Sequence, residues 1–303
     1  MMNQARLETL ADEIRPHLRT GGVSNYLPQL AESRVDDFAV ALEMGSDEPV
    51  STGDAGAVFT VQSVVKVFTL LLALRDRGEE YVFERVGREQ TVGAFNSFET
   101  FGRSTGYPAN PFVNSGALAV VDMLEGGDAE TRVSRVLELI RTLSDNPAID
   151  VNLDVAAAEF ASADRNRAIC YFLRSCGLVT AEVEDLLWAY CQMCAIQVTV
   201  ADLARAGGFL ARDSQIASLP DLPPLRDVHG VRRLMLTTGM YVSSGWYSYA
   251  VGIPAKCGVS GAMLGIVPGL GGIGVYGPAL DDASNSIGGI RMMEALSTAL
   301  ALS

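Results

Sequence analysis

The run from Cys257 to Leu280 carries no charged residue, yet eight glycines and two prolines, Pro268 and Pro278, interrupt it. It is long enough to cross a bilayer, but that density of helix breakers argues against a spanning helix. Two strands and a turn suit it better. "SGAMLGIV" (260–267) and "IGVYGPAL" (273–280) read as the strands. "WYSYAVGI" (246–253) reads as a third strand before them, and "NSIGGIRMMEALSTALAL" (285–302) as a closing helix.

The other end of the chain also holds strand signals. After an amphipathic helix, "ARLETLADEIRPHL" (5–18), come "DFAVALEM" (37–44) and "AVFTV" (57–61). "GSDEPVSTGDAG" (45–56) reads as the loop between them. "FTVQSVVKVFTLLLAL" (59–74) then reads as a buried helix ended by "DRG" around Gly78. From about Asn114 to about Gly239 the pattern is helical, broken at "GGD", "DNPAID", "CGL" and "LPDLPPL". Strands at both ends and helices between them predict an α+β fold. One antiparallel sheet draws on both chain ends, with helices on its faces. We expect a single domain over residues 1–303, with a helical lobe inserted over roughly residues 90–240.

Composition narrows the partners. The formal net charge is −13, with 36 acidic against 23 basic residues, so phosphate backbones and anionic lipid are repelled. No nucleic-acid or membrane partner is expected. The N-terminus has no apolar signal-peptide core, which points to the cytoplasm and to reduced cysteines.

Few residue clusters offer chemistry. His17 and His229 are the only imidazoles, and neither has a serine or cysteine nearby, so a histidine-based nucleophile or a His-rich metal site is not expected. Cys191 and Cys194 form a CxxC pair, but Cys170 and Cys176 do not make a second, and "LLWAYCQMCAI" reads as a buried helix. "GLGGIG" (269–274) resembles a phosphate-cradling loop, but no helix start follows it. No cofactor is expected.

Ser63 and Lys66 remain. On a helix, residues three apart share a face, so Ser63 Oγ and Lys66 Nζ can meet across one turn. A lysine desolvated by Val64, Val65, Val67 and Phe68 loses its proton more readily and can activate the serine. S-x-x-K alone is a permissive pattern; a lysine snorkelling beside an incidental serine would look the same. Lys256-Cys257-Gly258, at the start of a late strand, adds weight. Penicillin-recognising serine acyl-transfer enzymes pair S-x-x-K with such a K-x-G triad.

With their neighbours, these motifs make the chain resemble the serine-dependent, β-lactamase-like glutaminase family over nearly its whole length. The matching pieces are "NYLPQL" (25–30), "VQSVVKVF" (61–68), "PANPFVNSGAL" (108–118) and "ADRNRAICYFL" (163–173). "WAYCQMCAIQVT" (188–199), "GMYVSSGWYSYAVGIPAKCGVSG" (239–261) and "NSIGGI" (285–290) complete them. The resemblance implies a β-lactamase/DD-peptidase-like fold, hydrolysis of L-glutamine to L-glutamate and ammonia, and a homodimer or homotetramer. Carried over by motif, Ser63 is the nucleophile, Lys66 its activating base and Tyr241 a proton shuttle. The backbone N–H groups of Ser63 and Val259 form an oxyanion hole. Tyr26, Asn114, Glu159, Asn166 and Tyr190 hold the α-amino and α-carboxylate ends.

That set suits free glutamine, a zwitterion with a neutral side-chain amide. It supplies one carboxylate for the ammonium and uncharged donors for the carboxylate. Glu159 and Asn166 lie seven apart, two helical turns, so one face can present both. The chain departs from the family at three places: Cys257 stands where serine is usual, Val65 replaces a small polar residue, and Ala158 precedes Glu159 instead of serine. Two other readings compete. A penicillin-binding protein or β-lactamase calls for export and an S-D-N-like loop, and neither signal is found. A non-catalytic amino-acid sensor would draw only on the substitutions at Cys257 and Ala158.

Overall fold

A computed structural model describes residues 2–45, 49–91, 97, 101 and 107–302. The chain opens with α1 (Gln4–Ile14) and a short α2 (Pro28–Ala31), followed by β1 (Ala39–Met44), β2 (Val50–Gly53) and a two-residue β3 (Phe59–Thr60). Helix α3 (Val65–Phe83) leads into the helical middle. That middle comprises α4 (Asn114–Met123), α5 (Ala129–Ser144), α6 (Leu153–Ala161), α7 (Asp164–Ser175) and α8 (Val183–Cys194), then α9 (Val200–Ala211), α10 (Asp213–Ser218) and α11 (Leu225–Thr238). Strand β4 (Asp150–Val151) precedes α6, and β5 (Ile196–Val198) follows α8. The chain ends with α12 (Ser244–Ala250), β6 (Ala255–Cys257), β7 (Ala262–Val267), β8 (Gly271–Tyr276) and α13 (Ile287–Ala299).

The main sheet has the order β2-β1-β8-β7-β6, antiparallel throughout, so strands from both chain ends share it. Its central seam pairs Val40 with Val275 and Leu42 with Ile273. Alternation assigns the two faces. Val40, Leu42, Met263, Ile273 and Val275 turn to one side, where they pack with Leu7, Ala11 and Ile14 of α1 and Met292, Met293 and Leu296 of α13. Ala39, Ala41, Ala262, Leu264 and Ile266 turn to the other, into the core shared with the helical lobe. Each Val or Leu so buried contributes about 2 kcal/mol.

Helix α9 lies across that second face, against β8, β1 and β7. It comes close because two positions of β8 lack side chains. A Cβ on Gly272 would stand 2.1 Å from Ala204 O, and one on Gly274 2.1 Å from Val200 O. The glycines of "GLGGIG" therefore admit a helix, and Gly269 lies in the turn between β7 and β8.

Several expectations need correction. "WYSYAVGI" is not a strand; α12 covers most of it. Ser244, Tyr247 and Val251 are buried while Trp246 and Tyr249 are exposed, which is a helical spacing. The 45–56 loop contains β2. "AVFTV" yields only β3, which pairs with β5 in a separate three-stranded sheet, order β3-β5-β4. Helix α3 begins at Val65, not at Phe59; its helical path breaks at Gly78 (φ 79°, ψ 163°), where "DRG" was expected to end it, and a second helical stretch continues to Phe83. His229 sits within α11. The start of the helical lobe falls partly on residues 92–96, 98–100 and 102–106, outside the described residues. Among the described residues no helix is long and apolar enough to cross a membrane.

Candidate active site

The chain turns sharply between β3 and α3. Gln62 takes a left-handed conformation (φ 45°), which non-glycine residues adopt only when their surroundings impose it. A 3-10 turn, Gln62–Val64, follows and feeds directly into α3. Ser63 therefore sits where the helix begins, buried to 7% exposure, at the end of the helix whose dipole favours negative charge.

The segment after β6 is fastened to this turn. Ser260 Oγ donates to Thr60 O (2.7 Å). Gly258 comes so near that an added Cβ would stand 2.7 Å from Val61 O and 3.3 Å from Ser63 N. Val259, next in sequence and buried, is held beside Ser63 by these contacts.

Lys66 is almost wholly buried (1% exposed). Its Nζ donates to Asn114 Oδ1 (2.7 Å) and to Phe112 O (3.1 Å). Asn114 Nδ2 in turn donates to Asn166 Oδ1 (3.0 Å). Asn114 is the first residue of α4, but it does not cap that helix. Asn110 satisfies the preceding turn, accepting from Phe112 N and Val113 N, and so releases Asn114 for Lys66. Burial, and next the charge of Lys256, lower the Lys66 pKa to about 7.

Glu159 faces the same space from α6 and is 2% exposed. Tyr26 Oη donates to its Oε1 (3.3 Å), and the Gln62 amide also faces it. Its Oε2 is buried and accepts no hydrogen bond from the described residues. Burial raises its pKa to about 7, against the opposing pull of Tyr26, Gln62 and Lys66. Tyr190, on α8, is buried close to Glu159, Tyr26 and Tyr241. Burial pushes its phenol well above the ordinary range, which keeps it a neutral donor.

Tyr241 also adopts a left-handed conformation (φ 52°). Its phenol lies close to the Ser63 side chain, and burial raises its pKa strongly. All nine residues singled out from the sequence thus converge: Tyr26, Ser63, Lys66, Asn114, Glu159, Asn166, Tyr190, Tyr241 and Val259.

Two further residues belong with them. Gln62, next to Ser63 in sequence, faces Glu159. Lys256, of the K-x-G triad, places its Nζ 4.0 Å from the Tyr241 ring centroid. A second lysine in an uncharged strand was the signal for it. Of the three departures from the family pattern, Cys257 lies near Lys66 and Tyr241 but hydrogen-bonds away from Ser63, and the other two turn elsewhere. Cys257 Sγ donates to Asn285 Oδ1 (2.8 Å), and Asn285 Nδ2 donates to Ser243 Oγ (3.3 Å). Val65 is buried in the main core, and Ala158 packs beside the cluster of Leu27 and Val155. Cys191 and Cys194 are free, buried thiols on α8, with pKa values raised by burial. His229 pairs with Asp213 (3.0 Å), away from these residues.

The glutaminase family model matches residues 21–303. The chain belongs to the glutaminase family. It is 41% identical over 302 residues to a glutaminase of Geobacillus kaustophilus, covering 99% of this chain and 98% of that one. Among solved structures, a probable glutaminase of Bacillus subtilis superposes with a TM-score of 0.90 at 32% identity, over 99% of this chain and 97% of that one. A second similar structure is a covalent complex of a Bacillus subtilis glutaminase with 5-oxo-L-norleucine, formed by reaction with 6-diazo-5-oxo-L-norleucine. Its TM-score is 0.88 at 31% identity, with 99% of each chain covered. The glutaminase fold is the β-lactamase-like architecture described above, and it is shared along essentially the full length.

Proposed function

We propose that this glutaminase-family chain hydrolyses L-glutamine to L-glutamate and ammonia through an acyl-enzyme on Ser63. The observation that carries the reading is the Glu159 carboxylate, buried beside the Ser63–Lys66 turn with Oε2 unmet by the described residues. A buried anion calls for a cation. The α-ammonium of an amino acid supplies one and leaves the side chain free to reach Ser63.

Glu159 and Tyr26 take the ammonium. Asn166, whose Oδ1 is engaged by Asn114, offers its Nδ2 to the α-carboxylate, with Tyr190 as a second neutral donor. Neutral Lys66 accepts the Ser63 hydroxyl proton, and Oγ attacks the amide carbon. Negative charge on the amide oxygen falls to the N–H groups of Ser63 and Val259. Tyr241 relays a proton to the departing nitrogen, ammonia leaves, and water then cleaves the ester. Lys66, with its pKa lowered to about 7, suits the base role, whereas burial disfavours the Tyr241 phenolate. The covalent adduct of the Bacillus subtilis relative with a glutamine-like diazoketone supports a nucleophile in such a site.

A homodimer or homotetramer and a cytoplasmic location complete the proposal; light scattering on the purified protein checks the first. The activity is tested by ammonia release from glutamine with the native chain and with Ser63→Ala. Release by the native chain alone is expected. Equal rates would remove Ser63 from the mechanism.

A further inference from the structure

We propose that Asn285 is a positioning residue for this reaction: its buried carboxamide ties the left-handed turn that carries Tyr241 to Cys257 of β6, and so holds the Tyr241 phenol in register with Ser63. The inference rests on the roles given to Ser63 and Tyr241 above.

Tyr241 opens a 3-10 turn, Tyr241–Ser243, between α11 and α12, and does so with φ 52°. A non-glycine residue keeps that conformation only where its surroundings impose it. Contacts on both flanks of Tyr241 do so. On one side, Gly239 presses so close to β6 that Ala255 O leaves no room for a Cβ, and Cys257 Sγ lies 3.8 Å from Gly239 O. On the other, Ser244 Oγ accepts from Met240 N (3.0 Å), and Ser243 Oγ accepts from Asn285 Nδ2 (3.3 Å). Asn285 is the one member of this set that comes from outside the turn and β6, from the loop before α13.

Asn285 is completely buried, and its side chain is not spent on its own loop. Ser286, next to it, caps α13 by accepting from Gly289 N (3.0 Å). The Asn285 backbone is pinned separately: its N–H donates to Asp281 Oδ1 (2.9 Å), and its carbonyl accepts from Asp281 N (2.9 Å). The carboxamide then reaches two ways at once, Oδ1 accepting from Cys257 Sγ (2.8 Å) and Nδ2 donating to Ser243 Oγ. In a buried setting each arm is costly to leave unpaired, so the amide fixes the distance between its two partners. Cys257 runs directly into Gly258, which packs against Val61 O and Ser63 N. One side chain therefore sets the Tyr241 turn and the Ser63 turn against the same strand. Among the described residues Asn285 hydrogen-bonds to none of the nine site residues, so its influence on the reaction passes through the placement of Tyr241.

The test is a double-mutant cycle. Steady-state ammonia release from glutamine is measured for the native chain, Asn285→Ala, Tyr241→Phe and the double variant, with a thermal melt of each. Asn285→Ala cuts both arms and lets the phenol drift while the ammonium and carboxylate contacts stand. We expect kcat to fall about 10–100-fold with KM held within about two-fold. In the Tyr241→Phe background the same change costs less than about two-fold, because no hydroxyl is left to misplace. A folded Asn285→Ala with native kcat overturns the proposal. So does a loss carried by KM, or an equal fold-loss in the Tyr241→Phe background. If Asn285→Ala does not fold, Cys257→Ala, which cuts one arm, is read by the same three criteria. A native rate in Tyr241→Phe, or activity that survives in Ser63→Ala, would instead refute the parent reading, and this inference with it.

Discussion

Lys66 and Glu159 are buried within reach of each other's charge, and each has a pKa near 7 for the same reason, loss of water. For Lys66 the sign favours catalysis. The neutral amine is the competent form, so kcat/KM falls about ten-fold per pH unit below pH 7, where the amine is protonated. Lys66→Met lowers kcat by about 10²–10⁴, and Lys66→Arg does not restore it, because a guanidinium does not give up its proton. A pH–rate profile of the two variants checks both statements. For Glu159 the sign sets function against stability. Its folded pKa lies above the unfolded value, so stability present below about pH 4.5 is lost as pH rises through about 7. Glu159→Gln removes that cost. We expect the unliganded variant to melt above the native chain at pH 8, with the gap narrowing toward pH 5. Its kcat/KM for glutamine should drop about 10–100-fold, chiefly through KM, since a charged hydrogen bond to the ammonium is lost. Melts at the two pH values and steady-state kinetics measure the two halves.

At the scale of elements, apolar runs bounded by Gly, Pro and polar loop residues identified β1, β7 and β8, because each buries both faces between helices and carries the apolar side chains to do so. The same reasoning failed at α12, where Trp246, Tyr247 and Tyr249 carry strong strand propensity. There the tertiary setting decides: Tyr247 anchors one helical face in the core while Tyr249 stays in water. Strand β2 was hidden because its side chains are only partly buried, so the segment reads as a polar loop. The glycines of β8 were correctly excluded as a phosphate loop, but their purpose needed the packing of α9. Gly274→Ala would push a methyl group against Val200 O, and we expect a loss of about 3 kcal/mol in denaturant unfolding. A change below about 0.5 kcal/mol would show that α9 can draw back.

At the scale of the molecule, the site lies where three structures meet: the β6 edge of the main sheet, the small sheet through β3, and the helical lobe through α4, α6, α7 and α8. Sequence spacing alone exposed only the Ser63–Lys66 pair, which shares one helical turn, and the Glu159–Asn166 pair. The meeting of Tyr26 with Glu159, or of Lys66 with Asn114, spans long stretches of chain and follows from topology. Resemblance to a family supplied those partners before any geometry did. Lys256 carries a signal in the sequence, its K-x-G triad, but only the fold shows its Nζ over the Tyr241 ring. The central claim is that this convergence makes Ser63 a nucleophile toward a glutamine-shaped amide. It is tested most directly by treating the protein with 6-diazo-5-oxo-L-norleucine and locating the adduct by peptide mass spectrometry. The account predicts one equivalent on Ser63, with ammonia release lost in proportion and no adduct on Ser63→Ala. An adduct on another residue, or full activity in the labelled protein, would contradict it.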